Sequence, residues 1–337
     1  MDDRIDKKLK KGLLRHLEGR LDEAYEIYNA ILDESSENPE ALQLAGALVL
    51  DRGDAKSACV LLKKAVQLNP GFAPVKINYG IALAACNQAK DALAELKEAI
   101  TLAPHSPDGY YNAGRVFLGI GRASDARDML SMAIKISPSH AVAQNDYAIA
   151  LQQLGLIEEA LKANSEACQL EPGNSLFRAN RCSLRLDLDD PEGAVQDGER
   201  AISLDQTCKE SQYNLGNAYY ALDRPGDARV CYNRAIEIDP YYADAHANLA
   251  TAELALENIT LALKAAERAL ALEPAMAEAA WTRSLALLLA GDYKRGWAEY
   301  EWRWAAVPFL EKRQFDGAEW NGEPVADKTV LIHHEQG

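Results

Sequence analysis

The sequence predicts an all-α solenoid of stacked helix–turn–helix units, and three observations predict it. Prolines recur at 70, 104, 138, 172, 240 and 274, each 34 residues from the last except for one double interval centred on Gln206. Alanine stands at 24, 58, 92, 126, 160, 194, 228 and 262, and again seven residues later at 65, 99, 133, 167, 201, 235 and 269, with Ile31 in the first unit. A third ladder is small throughout: Gly12, Gly46, Gly80, Gly114, Ala148, Cys182, Gly216 and Ala250. A fixed period of this length marks units that cannot bury their own apolar faces and must stack to share a core.

Counting back from Pro70 puts the first closing position at Ser36, so eight units follow one another: 5–38, 39–72, 73–106, 107–140, 141–174, 175–208, 209–242 and 243–276. Each holds two antiparallel helices, as in Ala113 to Gly121 followed by Ser124 to Ile136. The small residues let paired helices approach, and Tyr28, Leu62, Leu96, Leu130 and Tyr232 fill the gaps between units. The closing proline ends the second helix. The unit 175–208 departs from this plan. It has Gln206 for proline, and Arg178, Arg181 and Arg185 share one helix face. Either these form a basic patch for an acidic partner, or the helix is rotated. In the second case Phe177, Leu184 and Leu188 pack, and the arginine stems reach toward Asp187, Asp189 and Asp190.

Residues 277–305 are expected to form a degenerate ninth helix pair that caps the stack. Gly291-Asp292 makes its turn, and Gly296 replaces the expected alanine. Tyr293, Trp297, Tyr300 and Trp304 fall on one continuous helical stripe. Such a stripe is expected to cap the solenoid, dock onto a following domain or form a homodimer. Residues 306–337 are a short non-helical tail: a linker broken by Pro308, Gly317, Gly322 and Pro324, then the strand Thr329-Val330-Leu331-Ile332. A strand running into Gly337 reads as the start of an α/β nucleotide-binding domain.

Composition narrows the function. The chain has 337 residues, 48% hydrophobic and 26% charged, which suits a folded protein. Its net charge of -15 repels phosphate backbones and anionic lipid, so neither nucleic acid nor a membrane is the expected partner. No apolar run suggests a membrane span, and MDDRIDKKLKKG is not a secretory signal. The six cysteines form no C-x-x-C and no zinc spacing, so they are expected to be packing residues in a reducing cytoplasm. No catalytic constellation, metal set, cofactor motif or complete phosphate loop is present, so no enzyme is expected in this chain as it stands.

The pattern resembles the tetratricopeptide repeat family over residues 5–276. Its clearest unit runs from Tyr213-Asn214-Leu215-Gly216-Asn217-Ala218-Tyr219 through Ala228, Tyr232, Ala235 and Pro240. The resemblance implies a right-handed superhelix whose first helices line a concave groove, and a role in protein–protein contact.

Within this frame Asn78, Asn112, Asn180, Asn214 and Asn248 recur at the sixth position of their units, with Asp146 in the remaining slot. Asparagine is a mediocre helix former, so its recurrence needs a compensating role. An amide both donates and accepts, so a row of amides reads the backbone of an extended chain. Arg115 shares a helix stripe with Asn112, and Asn217 with Asn214, while Tyr111, Tyr213 and Tyr220 stand alongside as further candidate peptide contacts. The other reading is that these amides bond between units. The ladder is similar to the one lining the repeats of O-linked N-acetylglucosamine transferases, and that resemblance implies peptide-backbone binding at these positions. Asp146 departs from it, since a carboxylate cannot donate. The clamp that some repeats of this family use for a terminal carboxylate needs lysine at the fifth position. Here Ile77, Tyr111, Asn145, Ala179 and Tyr213 stand there.

The tail adds a second resemblance. Gly291-Asp292, Gly296-Trp297, Glu299-Tyr300-Glu301-Trp302-Arg303-Trp304, Trp320-Asn321-Gly322-Glu323 and His334-Glu335-Gln336-Gly337 are similar to the linker of bacterial repeat proteins fused to heptosyltransferase-like glycosyltransferases. This implies a peptide-binding module that recruits acceptors for a transferase domain. The alternative is a stand-alone scaffold for multiprotein assembly.

Overall fold

The computed structural model describes residues 3–307, and everything regular among them is helical. The expected linker and strand within 308–337, with the second half of the linker resemblance, lie outside the described residues. The chain forms two compact units, Met1–Asp190 and Pro191–Gly337.

The first unit holds α1 (Asp3–Leu17), α2 (Leu21–Glu34), α3 (Pro39–Asp51), α4 (Ala55–Leu68), α5 (Ala73–Ala85), α6 (Ala89–Leu102), α7 (Pro107–Gly119), α8 (Ala123–Ile136), α9 (Ala141–Gln153), α10 (Ile157–Leu170) and α11 (Ser175–Asp187). The second holds α12 (Pro191–Leu204), α13 (Lys209–Ala221), α14 (Pro225–Ile238), α15 (Ala243–Ala255), α16 (Ile259–Leu272), α17 (Ala277–Leu289), α18 (Tyr293–Tyr300) and α19 (Arg303–Ala306). None of the described helices is long and apolar enough to cross a membrane.

Local chemistry sets the helix ends. Asn38 caps α3 by accepting from the Ala41 N–H, and Pro39 fits the first turn because no partner is needed there. Each odd-numbered helix from α1 to α17 stops just before a residue with positive φ, at positions 19, 53, 87, 121, 155, 189, 223, 257 and 291. Five are glycine. The others are Asn87, Asp189, Asp223 and Glu257. Asparagine and aspartate tolerate this region, whereas Glu257 carries strain there.

The three ladders are the core. All eight alanines of the first ladder are fully buried, as are Tyr28, Leu62, Leu96 and Leu130. The small positions explain this packing. A Cβ added at Gly114 would lie 2.5 Å from Leu130 Cγ. Gly114→Val is therefore expected to destabilise the chain by about 2 kcal/mol through overpacking, read as a lower urea midpoint with an unchanged slope.

First helices of successive repeats also touch one another, along α1–α3–α5–α7–α9–α11 in the first unit and α13–α15–α17 in the second. Second helices pack chiefly against the first helices on either side. The first helices therefore form the closer-packed layer, and their free faces share one surface within each unit.

In α11, Phe177 and Leu184 are buried and Leu188 is half-buried, while Arg185 pairs with Asp190 at 3.3 Å. Packing by the apolar residues is what the helix shows. At the C-terminal end the aromatic stripe is not continuous. The helix stops at Tyr300, because Trp302 N–H turns back to Glu299 C=O and Trp304 N–H to Glu301 C=O, bonds of the tighter three-residue kind. Tyr293 and Trp297 are exposed, whereas the Arg303 guanidinium lies 4.7 Å from the Tyr300 ring and 4.3 Å from the Trp304 ring.

Candidate functional site

The polar ladder lies on the first-helix layer. In the first unit Asn78 is on α5, Tyr111, Asn112 and Arg115 on α7, Asp146 on α9 and Asn180 on α11. In the second unit Tyr213, Asn214, Asn217 and Tyr220 are on α13 and Asn248 on α15. All five ladder asparagines and Asp146 are half-buried. Their burial is alike because the 34-residue register fixes each at the same angle on its helix, beside the packed small residue two positions on.

Their hydrogen bonds differ. Asn78 makes no side-chain bond among the described residues. Asn112 Nδ2 donates to Asp108 C=O of its own helix at 2.8 Å, which leaves one N–H and the carbonyl oxygen for another partner. Asn180 Nδ2 donates to Asn145 Oδ1 at 2.8 Å, and the fully buried Asn164 Nδ2 donates to the same oxygen at 3.1 Å. Cys168 Sγ in turn donates to Asn164 Oδ1 at 3.6 Å. This chain of amides crosses from one repeat to the next, and it satisfies polar groups that would otherwise be costly to bury. The inter-repeat reading therefore describes this hydrogen bond of Asn180 and the two that Asn248 makes to Tyr213 and Asn217 of the repeat before it.

Asp146 sits in a different setting. Asn145 Nδ2 donates to its carboxylate at 3.3 Å, and Arg115 Nε stands 3.9 Å away. The Arg115 guanidinium also lies 5.8 Å from the Tyr111 ring, which packs on the His140 ring at 4.7 Å. Burial raises the Asp146 pKa above the usual carboxylate value, although the Asn145 bond, Arg115, Tyr111 and His140 all favour the charged form. Burial likewise pushes the Tyr111 hydroxyl up to about 12.

In the second unit the ladder opens into a pocket of about 230 Å³ lined by Asn217, Tyr220, Ala221, Tyr232, Asn248 and Thr251. Three bonds organise it. Tyr232 hydroxyl donates to Asn217 Oδ1 at 2.9 Å, Asn248 Nδ2 donates to the same oxygen at 2.8 Å, and Asn248 Nδ2 donates to the Tyr213 hydroxyl at 3.1 Å. These use both N–H groups of Asn248 and fix the direction of both amides. The Asn217 amide also hydrogen-bonds the Tyr213 hydroxyl, which leaves one N–H of Asn217 and the carbonyl oxygen of Asn248 as a donor and an acceptor on this lining. The lining carries no formal charge. Such a site suits a neutral polar group, of which the peptide unit is the commonest. Tyr220, 38% exposed, supplies an aromatic wall.

Sequence reasoning named Asn217, Tyr220 and Asn248 for this face and placed Tyr232 among the packing residues. The structure gives Tyr232 both roles. Thr251 was missed, and nothing in its local sequence distinguishes it. Asn164 was missed too, although it stands where Leu62, Leu96 and Leu130 fill the gap in other units.

Family profiles described as tetratricopeptide repeat match residues 210–242, 49–99, and 79–141, 111–175 and 248–301. Among solved structures, a chain of the APC/C hetero-tetramer Cut9–Hcn1 is similar, with a TM-score of 0.66 and 19% identity, covering 79% of this chain and 52% of that one. A tetratricopeptide repeat protein from Parabacteroides merdae has a TM-score of 0.58 and 14% identity, covering 74% of this chain and 98% of that one. Yeast Tom70 has a TM-score of 0.56 and 16% identity, covering 87% and 66%. The chain thus spans about half the length of the first of these. At such identities the likeness is one of fold. No curated protein matches the sequence.

Proposed function

The chain is a tetratricopeptide repeat protein, and from that premise we propose that its first-helix face binds an extended segment of another protein through the segment's backbone. The observation that carries this reading is the pair of amides at Asn217 and Asn248. Internal bonds hold them in place, and a free donor and a free acceptor line an uncharged pocket. Preorganised groups of this kind bind without a further ordering cost. Asn78 and Asn112 offer further amide capacity in the first unit. The solved neighbour Cut9–Hcn1 is itself a hetero-tetramer, which agrees with a protein partner.

The test begins with peptides captured on the full chain. Asn78→Ala and Tyr220→Ala should each weaken binding about fivefold, the equivalent of one net hydrogen bond or one lost ring contact. Helix content should be unchanged, since neither side chain makes a hydrogen bond in the described structure. Unaltered affinity in both variants would remove the reading.

We propose further that the segment is a sugar acceptor and that this chain recruits it for a bacterial glycosyltransferase. That finer reading rests on the sequence resemblance from Gly291 to Gly337 alone. Captured partners that carry no O-linked or N-linked sugar in the native cell would leave the scaffold alternative in its place.

A further inference from the structure

Cys59 and Cys86 meet across the boundary between the second and third repeats. Cys59 is on α4 and Cys86 closes α5, and their Sγ atoms are 3.8 Å apart, at van der Waals contact. Both are half-buried free thiols. Cys59 packs between two apolar clusters, one around Leu62 and one around Leu96. Cys86 instead forms part of the wall of an open cleft of about 610 Å³ at the repeat turns, with Gly53, Lys56, Asn87 and Gln88. Cys86 therefore borders an open cleft, and the Cys59 sulfur is in contact with its sulfur.

We propose that this pair is a peroxide-oxidisable dithiol which closes to a disulfide stapling α4 to α5. Two chemical steps balance it. The Cys86 thiolate attacks one oxygen of hydrogen peroxide, forms the sulfenic acid and releases hydroxide, which takes up the proton the thiol had lost. The Cys59 sulfur then attacks Cys86 Sγ, the S–S bond forms, and the hydroxyl leaves as water with the Cys59 proton. Each sulfur gives up one electron and the peroxide O–O bond takes two. Closing to a bond of about 2 Å needs a small movement of two side chains already in contact.

The order of attack follows from access and charge. Burial pushes the Cys59 thiol up to about 11, so it stays protonated while Cys86, on the cleft wall, meets the oxidant. The staple joins a second helix to the first helix of the next repeat. That first helix, α5, also carries Asn78, so oxidation fixes the rung of Asn78 against the repeat before it. The proposal does not depend on what the first-helix face binds.

Treating the reduced full chain with a small excess of hydrogen peroxide tests it. The expected result is loss of two of the six thiols, and a linked peptide pair containing Cys59 and Cys86 that is two hydrogens lighter and reopens with dithiothreitol. In Cys59→Ala the sulfenic acid at Cys86 should persist and be trapped by dimedone. The proposal is overturned if the wild-type chain yields no linked pair, if the two sulfurs end as separate higher acids, or if the bridge joins two chains. The wild-type peptide map decides the matter even where a variant folds poorly.

Discussion

Tyr232→Ala is expected to destabilise the chain by about 3–5 kcal/mol, as deletion of a large buried ring does when the surroundings cannot collapse. The ring is 1% exposed. It lies against Gly216, where an added Cβ would fall 2.5 Å from Tyr232 Cε1, and it packs near the Tyr213 ring at 6.1 Å. Helices α13 and α14 are held at that separation by their other contacts, so the void stays open. Tyr232→Phe separates packing from hydrogen bonding. It keeps the ring and removes only the donor to Asn217 Oδ1, which still accepts from Asn248, so a loss of about 1 kcal/mol is expected. Urea unfolding of the three proteins measures both numbers. Equal losses for the alanine and phenylalanine variants would show that the hydroxyl, and not the ring, holds this repeat.

The contrast between these residues shows what the sequence makes legible. The alanine ladder could be read because one physical demand, close helix approach, admits almost one residue type, and all eight members are fully buried. The turn ladder from position 19 to 291 has the same period but was not read, because the left-handed conformation is met by Gly53, Asn87, Asp189 and even Glu257. A demand that several residues can satisfy leaves no clean letter in the sequence. The amide ladder shows a second limit. Position in a 34-residue register placed Asn112, Asn180 and Asn248 at the same angle, yet one bonds its own helix, one Asn145 of the previous repeat, and one Tyr213 and Asn217. Register fixes where an amide points, whereas its partner depends on what stands nearby, a turn of its own helix for Asn112 and residues about one repeat away for Asn180 and Asn248. The break at Tyr300 was hidden for a related reason. An aromatic stripe at helical spacing is compatible with a continuous helix, whereas the tighter turn comes with Arg303 stacking on the Tyr300 and Trp304 rings and donating to the Tyr300 C=O, and with Trp304 Nε1 donating to Glu301.

Asp146→Asn is expected to tighten peptide binding about tenfold at neutral pH, if the rung reads the peptide backbone as its neighbours are proposed to do. The carboxylate can accept but not donate, and asparagine supplies the missing N–H at the same place. Wild-type protein should approach the variant in acid, because a protonated carboxyl also donates. Stability carries the same signature with its sign fixed by linkage. Burial raises the Asp146 pKa in the folded chain above its unfolded value, so the folded state holds the proton more tightly. The charged carboxylate therefore weakens the fold above both values, and the penalty is relieved as pH falls through the raised folded value. Asparagine does not titrate, so the stability advantage of Asp146→Asn should be larger at neutral pH and shrink in acid. Loss of the Arg115 partner at 3.9 Å offsets little, because Arg115 is 57% exposed and solvent screens it. Titration calorimetry and urea unfolding at neutral and acid pH measure both. Identical binding by the two proteins at both pH values would mean that the peptide does not reach this rung, while a stability gap that still shrinks in acid would show that the burial argument holds without it.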